Sequence, residues 1–196
     1  MLTKAELLEP LARRRTDEVV VTTMSVVRPW GRLSDHDLDF ASADSAMGHT
    51  ADLALGIALA QPQRRVLCMN GDGSMLMSLG TLATIVDAGA SNLILMVVQN
   101  GTYEITGNQA VPGAGSVDFA AMARAAGFPR SFHFEDADAY EAALDDILHT
   151  PGPTFLSVHV ETGGEGPISR TDRETARYIQ TSIADWSRRM RAALKR

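Results

Sequence analysis

Short apolar runs recur along the chain at fairly regular intervals. They occupy residues 18–27, 65–69, 92–98, 131–134 and 154–160. Residues 93–98 are apolar at every position, which is typical of a parallel strand covered by helices on both faces. The runs therefore predict the strands of one sheet.

Segments with apolar residues at three- and four-residue intervals separate most of these runs. This spacing predicts helices over residues 47–60, 75–88, 117–126 and 136–149. Alternating strands and helices predict a doubly wound α/β fold, in which helices flank a mainly parallel sheet. Ligands of such folds bind beyond the carboxyl ends of the strands, so the loops that follow the strands are the candidate sites.

A terminal helix is predicted over residues 171–194. It carries an apolar stripe that we expect to dock on this domain or on a partner. The stripe consists of Ala176, Ile179, Ile183, Trp186, Met190 and Leu194.

Composition narrows the class of protein. A chain of 196 residues with 45% hydrophobic content suits a single domain, 1–196, with 163–196 as a C-terminal extension and helix. A net charge of -6 argues against a general nucleic-acid binder, and the basic runs 13–15 and 188–196 are interpreted as solvated helix faces.

Cys68 is the only cysteine, which excludes an internal disulfide. No apolar stretch approaches the roughly 20 residues that span a bilayer, so we expect a cytoplasmic protein with no membrane contact.

The strongest chemical motif follows the second apolar run. Asn70-Gly71-Asp72-Gly73-Ser74 leads directly into an apolar helical pattern. Gly71 and Gly73 allow a tight turn and close approach of a ligand, and the helix start offers N–H groups to a phosphate. Asp72 adds a carboxylate suited to a hard divalent cation. Taken alone, Gly-Asp-Gly is a common turn sequence and weak evidence.

A second polar group strengthens the case. The next predicted strand ends in Gln99-Asn100-Gly101-Thr102, which places the Asn100 side-chain oxygen at the tip of an adjacent strand. Asp72, Asn100 and a backbone carbonyl at Thr102, together with two diphosphate oxygens, would nearly complete the octahedral oxygen shell that Mg²⁺ prefers.

These motifs resemble the signature of thiamine diphosphate-dependent decarboxylases and acetolactate-synthase-like carboligases. The string from Asn70 through Gln99-Asn100-Gly101-Thr102-Tyr103-Glu104 to Gly107-Asn108-Gln109 is most similar to phosphonopyruvate and sulfopyruvate decarboxylases, the latter in the β subunit. The resemblance covers residues 19–160. It implies the thiamine diphosphate-binding fold, with thiamine diphosphate and Mg²⁺ as cofactors.

The same resemblance assigns roles to further residues. It implies that Ser45 accepts a hydrogen bond from the cofactor's aminopyrimidine, with Ala46 and Gly48 in the same stretch, and that Met47 holds the cofactor in its V shape. Ser74 joins the diphosphate-binding set, and Tyr103 is implied as a further cofactor-binding residue. His49 is a candidate for proton transfer or substrate contact, because histidine titrates near neutral pH. Gln109 is a weaker candidate for contacting an anionic substrate.

The resemblance also implies a partner. Thiamine catalysis requires a glutamate from a pyrimidine-binding domain, and no second α/β domain fits in this chain. Because some sulfopyruvate decarboxylases are split into two short subunits, we expect a hetero-oligomer in which an α subunit supplies this glutamate. The expected activity is non-oxidative decarboxylation of a small-molecule 2-oxo acid.

Several alternatives stay open at this stage. The cofactor motifs do not distinguish a decarboxylase from a carboligase subunit, and a non-catalytic regulatory subunit that binds the cofactor is also possible. A nicotinamide-binding protein is disfavoured, because residues 71–74 lack the three-glycine fingerprint. The single cysteine excludes an iron–sulfur cluster held by this chain alone.

Overall fold

The structure is a computed structural model, which describes residues 1–41, 47–166 and 174–195. The strands are β1 (Val19–Thr22), β2 (Asp39–Ala41), β3 (Val66–Gly71), β4 (Leu93–Gln99), β5 (Thr102–Tyr103), β6 (Gln109–Ala110), β7 (Arg130–Phe134) and β8 (Thr154–His159). The α-helices are α1 (Lys4–Arg14), α2 (Val27–Leu33), α3 (Thr50–Ala60), α4 (Asp72–Leu76), α5 (Thr81–Asp87), α6 (Phe119–Ala126), α7 (Ala137–His149), α8 (Arg177–Gln180) and α9 (Ile183–Ala193). Short 3₁₀ turns cover Met24–Val26 and Glu104–Thr106.

The described residues form one six-stranded sheet in the order β2-β1-β3-β4-β8-β7, and every pairing in it is parallel. The predicted doubly wound fold with a C-terminal helix is therefore confirmed. Strands β5 and β6 form a separate antiparallel hairpin directly after β4.

Helices cover both faces of the sheet. Alternate strand residues point to opposite faces. Leu67 and Met69 therefore pack with α1, α2, α7, α8 and the start of α9, whereas Val66 and Cys68 pack with α3, α5, α6 and the end of α9. Two hydrophobic layers result, and they account for the near-continuous apolar strands. No helix among the described residues combines the length and apolar character needed to cross a membrane.

Several predicted boundaries are wrong. The strand predicted over 18–27 ends at Thr22, because Met24 takes a left-handed conformation with φ 47° and the chain then enters α2. The helix predicted over 75–88 is two helices, α4 and α5, separated at Ser78 and Gly80, residues of low helix propensity. The helix predicted over 47–60 begins only at Thr50.

The terminal helix is likewise divided. Thr181 is extended, and the Ser182 side chain caps a new helix by accepting the Asp185 N–H at 3.1 Å. Most of the predicted apolar stripe docks on this domain, since Ala176, Ile179, Trp186 and Met190 are buried, whereas Ile183 is 48% exposed.

The basic run at residues 13–15 needs one correction. Arg13 and Arg14 end α1 and pair with carboxylates of α7, as expected of a helix surface. The Arg15 side chain is only 7% exposed and lies 3.0 Å from Asp39. Arg15 is therefore a buried partner of β2 and not part of a solvated face.

Candidate functional site

The candidate functional groups lie near the point in the sheet where the order of the strands changes direction. The chain passes from β1 to β2 on one side, and β3 lies on the other side of β1. Loops after β1 and β3 therefore diverge and leave a crevice at the carboxyl edge of the sheet. Asp72 begins α4 directly after β3, and Asn100 follows β4.

Asp72 is the buried acid of this crevice. Its Oδ1 accepts the Gly73 N–H at 2.8 Å, and its Oδ2 accepts the Gly101 N–H at 2.8 Å. Burial raises the pKa of the Asp72 carboxyl, and these two N–H groups oppose the rise. The second hydrogen bond ties the end of β3 to the end of β4, so the loops that carry Asp72 and Asn100 are held together.

A buried hydrogen-bond network orients Asn100. The Asn100 Nδ2 donates to Glu104 Oε2 at 2.8 Å, which leaves Oδ1 as the acceptor end, and Oδ1 receives the Thr102 N–H at 3.2 Å. Glu104 also accepts from Lys4 Nζ at 2.7 Å and from the Glu165 N–H at 2.7 Å. The Glu104 side chain is fully buried, so Lys4 supplies the charge that balances it.

The two motif glycines have different roles. A Cβ at Gly73 would lie 2.3 Å from the Tyr103 ring, so this position accommodates only glycine with the ring in place. A Cβ at Gly71 would meet no atom within 4 Å, because the residue borders open space. The open space beside Gly71, which we call the Gly71 cradle, would be partly filled by a side chain and is free for a ligand.

Ser74 joins α4 to the segment before α3. Its Oγ accepts the Gly48 N–H at 2.9 Å, and its own hydroxyl hydrogen is available to a ligand. Gly48 has φ 89°, a conformation that favours glycine. The hydrogen bond places Met47 beside the crevice.

Two cavities share Asp72 and Asn100. We call the first the Tyr103 cavity; it encloses about 140 Å³. Its lining is Met24, Ser25, Met47, Gly71, Asp72, Gly73, Ser74, Asn100, Thr102, Tyr103, Glu104, Ile105 and Thr106. The second, the His159 cavity, encloses about 200 Å³ and extends from Asp72 and Asn100 towards Gln99, His159 and the loop at residues 111–117.

Most of the sequence-predicted site residues thus meet at the Tyr103 cavity. Ser45 and Ala46 lie outside the described residues. His49 is not brought into either cavity: its side chain is 76% exposed and its Nδ1 lies 2.9 Å from Asp52. Gln109 is exposed on the β5–β6 hairpin, where it bonds to Thr106.

Sequence reasoning missed several residues of this site. Met24 and Ser25 follow β1 and line the cavity. The rule that ligands bind beyond strand ends applies to them because β1 ends at Thr22, whereas the predicted strand continued to residue 27. Glu104, within the motif, accepts a hydrogen bond from Asn100, and Lys4, far outside the motif, holds Glu104 in place. No local pattern indicates a contact between residues 100 positions apart.

Comparison with known proteins identifies the family to which this chain belongs. The family pattern described as the thiamine pyrophosphate enzyme, C-terminal TPP binding domain, matches residues 32–158. This chain belongs to the thiamine pyrophosphate enzymes. It carries their C-terminal, thiamine diphosphate-binding domain.

Among the thiamine pyrophosphate enzymes, similar proteins include the two decarboxylases that the sequence motifs resemble. Phosphonopyruvate decarboxylase of Streptomyces viridochromogenes is 36% identical over 86% of this chain and 43% of its own length. Sulfopyruvate decarboxylase subunit beta of Methanothermobacter thermautotrophicus is 34% identical over 89% of this chain and 91% of its own length. The chain therefore spans less than half of the first relative and nearly all of the second.

A solved structure shares the fold of this thiamine pyrophosphate enzyme domain. The thiamine diphosphate-dependent 4-hydroxybenzoylformate decarboxylase of Rhodococcus jostii RHA1 superposes with a TM-score of 0.68 at 20% identity. The match covers 83% of this chain and 33% of that one. At this identity the likeness establishes the fold alone.

Proposed function

We propose that this chain is the diphosphate-binding subunit of a thiamine diphosphate- and Mg²⁺-dependent non-oxidative 2-oxo acid decarboxylase. The observation that carries the proposal is the meeting of Asp72 and Asn100 at the ends of adjacent parallel strands, beside the open cradle at Gly71. Sulfopyruvate and phosphonopyruvate decarboxylases are the relatives whose names support the activity.

The donor chemistry at this position suits Mg²⁺. Asp72 offers a carboxylate and Asn100 an amide oxygen, and we assign a third ligand to the backbone carbonyl of Thr102. None of the described residues that line the two cavities is lysine or arginine. A diphosphate beside the Asp72 carboxylate therefore needs a cation to balance the charge, and this need favours a bound metal.

The remaining lining residues suit the organic cofactor. Gly71, Gly73 and the Ser74 hydroxyl would hold the diphosphate, with Tyr103 packed over the turn. Met47 would support the thiamine body, and Ser45, Ala46 and Gly48 complete the proposed binding segment. Thiamine diphosphate, when bound, supplies the electron-accepting centre for loss of CO₂. The chain's own residues would position the cofactor and exclude water around it.

The proposal includes an α subunit that provides the pyrimidine-binding domain and the activating glutamate. A relative that is named a β subunit and is matched over 91% of its length supports this arrangement. Two exposed apolar side chains near the glycine turn also support it: Leu53 in the first turn of α3, and Met77 directly after α4, which contacts Gly48. In this arrangement the exposed His49 would face the partner and stays a candidate for substrate contact. Residues 1–196 would then act as a single domain, with 163–196 as its extension.

Co-expression with a pyrimidine-domain protein from the same genome tests the activity. The purified complex, supplied with thiamine diphosphate and Mg²⁺, should release CO₂ from at least one acid in a panel that contains sulfopyruvate, phosphonopyruvate and pyruvate. The same complex carrying Asp72→Asn is the matched control and should be inactive. If the complex forms and turns over none of the acids, the decarboxylase proposal is wrong. Formation of a longer 2-hydroxy ketone with an added aldehyde would replace it with a carboligase.

A further inference from the structure

Three metal-ligating side chains meet at the carboxyl ends of β7 and β8, and none of them is a proposed Mg²⁺ ligand. His133 is paired in register with Ser157, and His159 follows Ser157 by two residues, so both histidines project from the same face. Glu135 follows His133 by two residues at the end of β7 and lies beside them.

The two spacings between Glu135 and the histidines fit a tetrahedral metal site. Glu135 Oε1 lies 3.4 Å from His133 Nε2 and 3.4 Å from His159 Nδ1. Ligands at ~2.1 Å from a tetrahedral Zn²⁺ are separated from one another by about 3.4 Å. The three ligand atoms all lie within 4.8 Å of one another. As ion pairs alone, these exposed groups would contribute little stability.

The surroundings of His133 favour the same reading. Its other ring nitrogen, Nδ1, lies 3.4 Å from the Ser157 hydroxyl, which is buried and also bonded to the Gln99 side chain. Metal-binding histidines commonly anchor their second nitrogen in this way, which fixes the ring orientation. This contact leaves Nε2 directed towards Glu135.

We propose that His133, Glu135 and His159 bind a divalent cation of the zinc class. Two imidazoles and one carboxylate suit Zn²⁺, whereas Mg²⁺ prefers oxygen ligands only. Three protein ligands leave a fourth position for water or an anionic group, as in catalytic zinc sites. Since His159 also lines the His159 cavity, that position would lie at the cavity's edge. The proposal does not depend on the decarboxylase function.

Calorimetric titration of the full-length chain tests this site. The protein is prepared without a histidine tag, stripped with a chelator and titrated with Zn²⁺ in excess Mg²⁺, which saturates all-oxygen sites. We expect one saturable Zn²⁺ per chain. His133→Ala and Glu135→Ala should each weaken binding by roughly tenfold or more, since even changes to outer-shell partners of a metal cost that much. His149→Ala removes an exposed histidine outside the cluster and should bind as the wild type does.

The outcomes separate this proposal from the Mg²⁺ site. Because the His133 and Glu135 side chains are 44% and 60% exposed, the variants should keep the wild-type melting temperature. Asp72→Asn should retain Zn²⁺ affinity, and Co²⁺ substitution should give the visible absorption of a tetrahedral site in wild type and not in His133→Ala. Absence of saturable binding, unchanged affinity in His133→Ala, or loss of binding in Asp72→Asn would each overturn the proposal.

Discussion

Glu104 controls which end of the Asn100 side chain faces a metal. The carboxylate accepts Asn100 Nδ2 and is itself held by Lys4 and by the Glu165 N–H. An amide can present either oxygen or nitrogen, and only the oxygen binds a cation. The fully buried Glu104 therefore acts as a positioning residue for the proposed Mg²⁺ ligand.

Replacing Glu104 tests this role. Glu104→Gln places an NH₂ group among donors and leaves Lys4 without its counter-charge, so Asn100 loses its fixed orientation. We expect Mg²⁺ affinity, measured calorimetrically with thiamine diphosphate present, to fall roughly tenfold to a hundredfold. Glu161→Gln, at an exposed position nearby, is the matched control. Equal Mg²⁺ affinity in the two variants would refute the positioning role.

At the scale of elements, the start of α4 depends on its contact with the β5–β6 hairpin. Tyr103 of β5 covers Gly73, and any Cβ there would overlap the ring. The hairpin and the glycine turn consequently form one packed unit, on which the cavity wall is built. Gly56 offers a contrast, because a Cβ on this helical glycine of α3 would meet nothing within 4 Å.

Gly73→Ala should displace the Tyr103 ring. We expect a loss of about 1–3 kcal/mol in the free energy of unfolding, as is typical of overpacking, together with weaker thiamine diphosphate binding. Gly56→Ala should be neutral or stabilising, since alanine is the better helix former. Chemical denaturation of Gly73→Ala, Tyr103→Ala and the double variant forms a cycle. Additive losses would show that the two residues do not compete for space.

The sequence predicts elements well where burial dictates the pattern. The strands β3, β4 and β8 are recognisable because helices cover both of their faces. The three-residue β2 was missed, since its place depends on pairing with β1 and on the contact between Asp39 and Arg15. Helix α1 was predicted only at its end, from the basic run 13–15, because its charged residues mask a short apolar stripe around Leu7, Leu8 and Leu11.

The site was predictable to a similar degree. Asp72 and Asn100 stand in local motifs at the ends of recognisable strands, so the chain sequence alone brings them together. Their supporting contacts come from Lys4 and Glu165, which only the folded chain places nearby. The register of β7 and β8, which unites His133 with His159, is also a property of the tertiary structure.

At the scale of the whole molecule, the C-terminal helices contribute to both hydrophobic layers. Trp186 is 2% exposed, packs edge-on against Tyr178 and donates its indole N–H to the Asp39 carbonyl. Gly31 permits this packing, because a Cβ there would overlap Ala176 and Tyr178. The segment is thus part of the core that supports β1 and β2.

Trp186→Ala should therefore destabilise the entire domain. Removal of a fully packed aromatic side chain costs about 3–5 kcal/mol, and the thermal unfolding transition should fall accordingly. Ile183→Ala, on the same helix but 48% exposed, is the matched control and should change stability by less than about 1 kcal/mol. Similar transitions for Trp186→Ala and wild type would mean that the C-terminal helices do not stabilise the domain.

The central claim is that Asp72 holds a metal that in turn holds the cofactor's diphosphate. Calorimetric titration of thiamine diphosphate into the wild-type complex and into Asp72→Asn, each with Mg²⁺ and with a chelator, tests it directly. We expect tight binding only for the wild type with Mg²⁺, and equally weak binding in the other three conditions. Wild-type affinity in Asp72→Asn, or affinity that is unaffected by the chelator, would contradict the account.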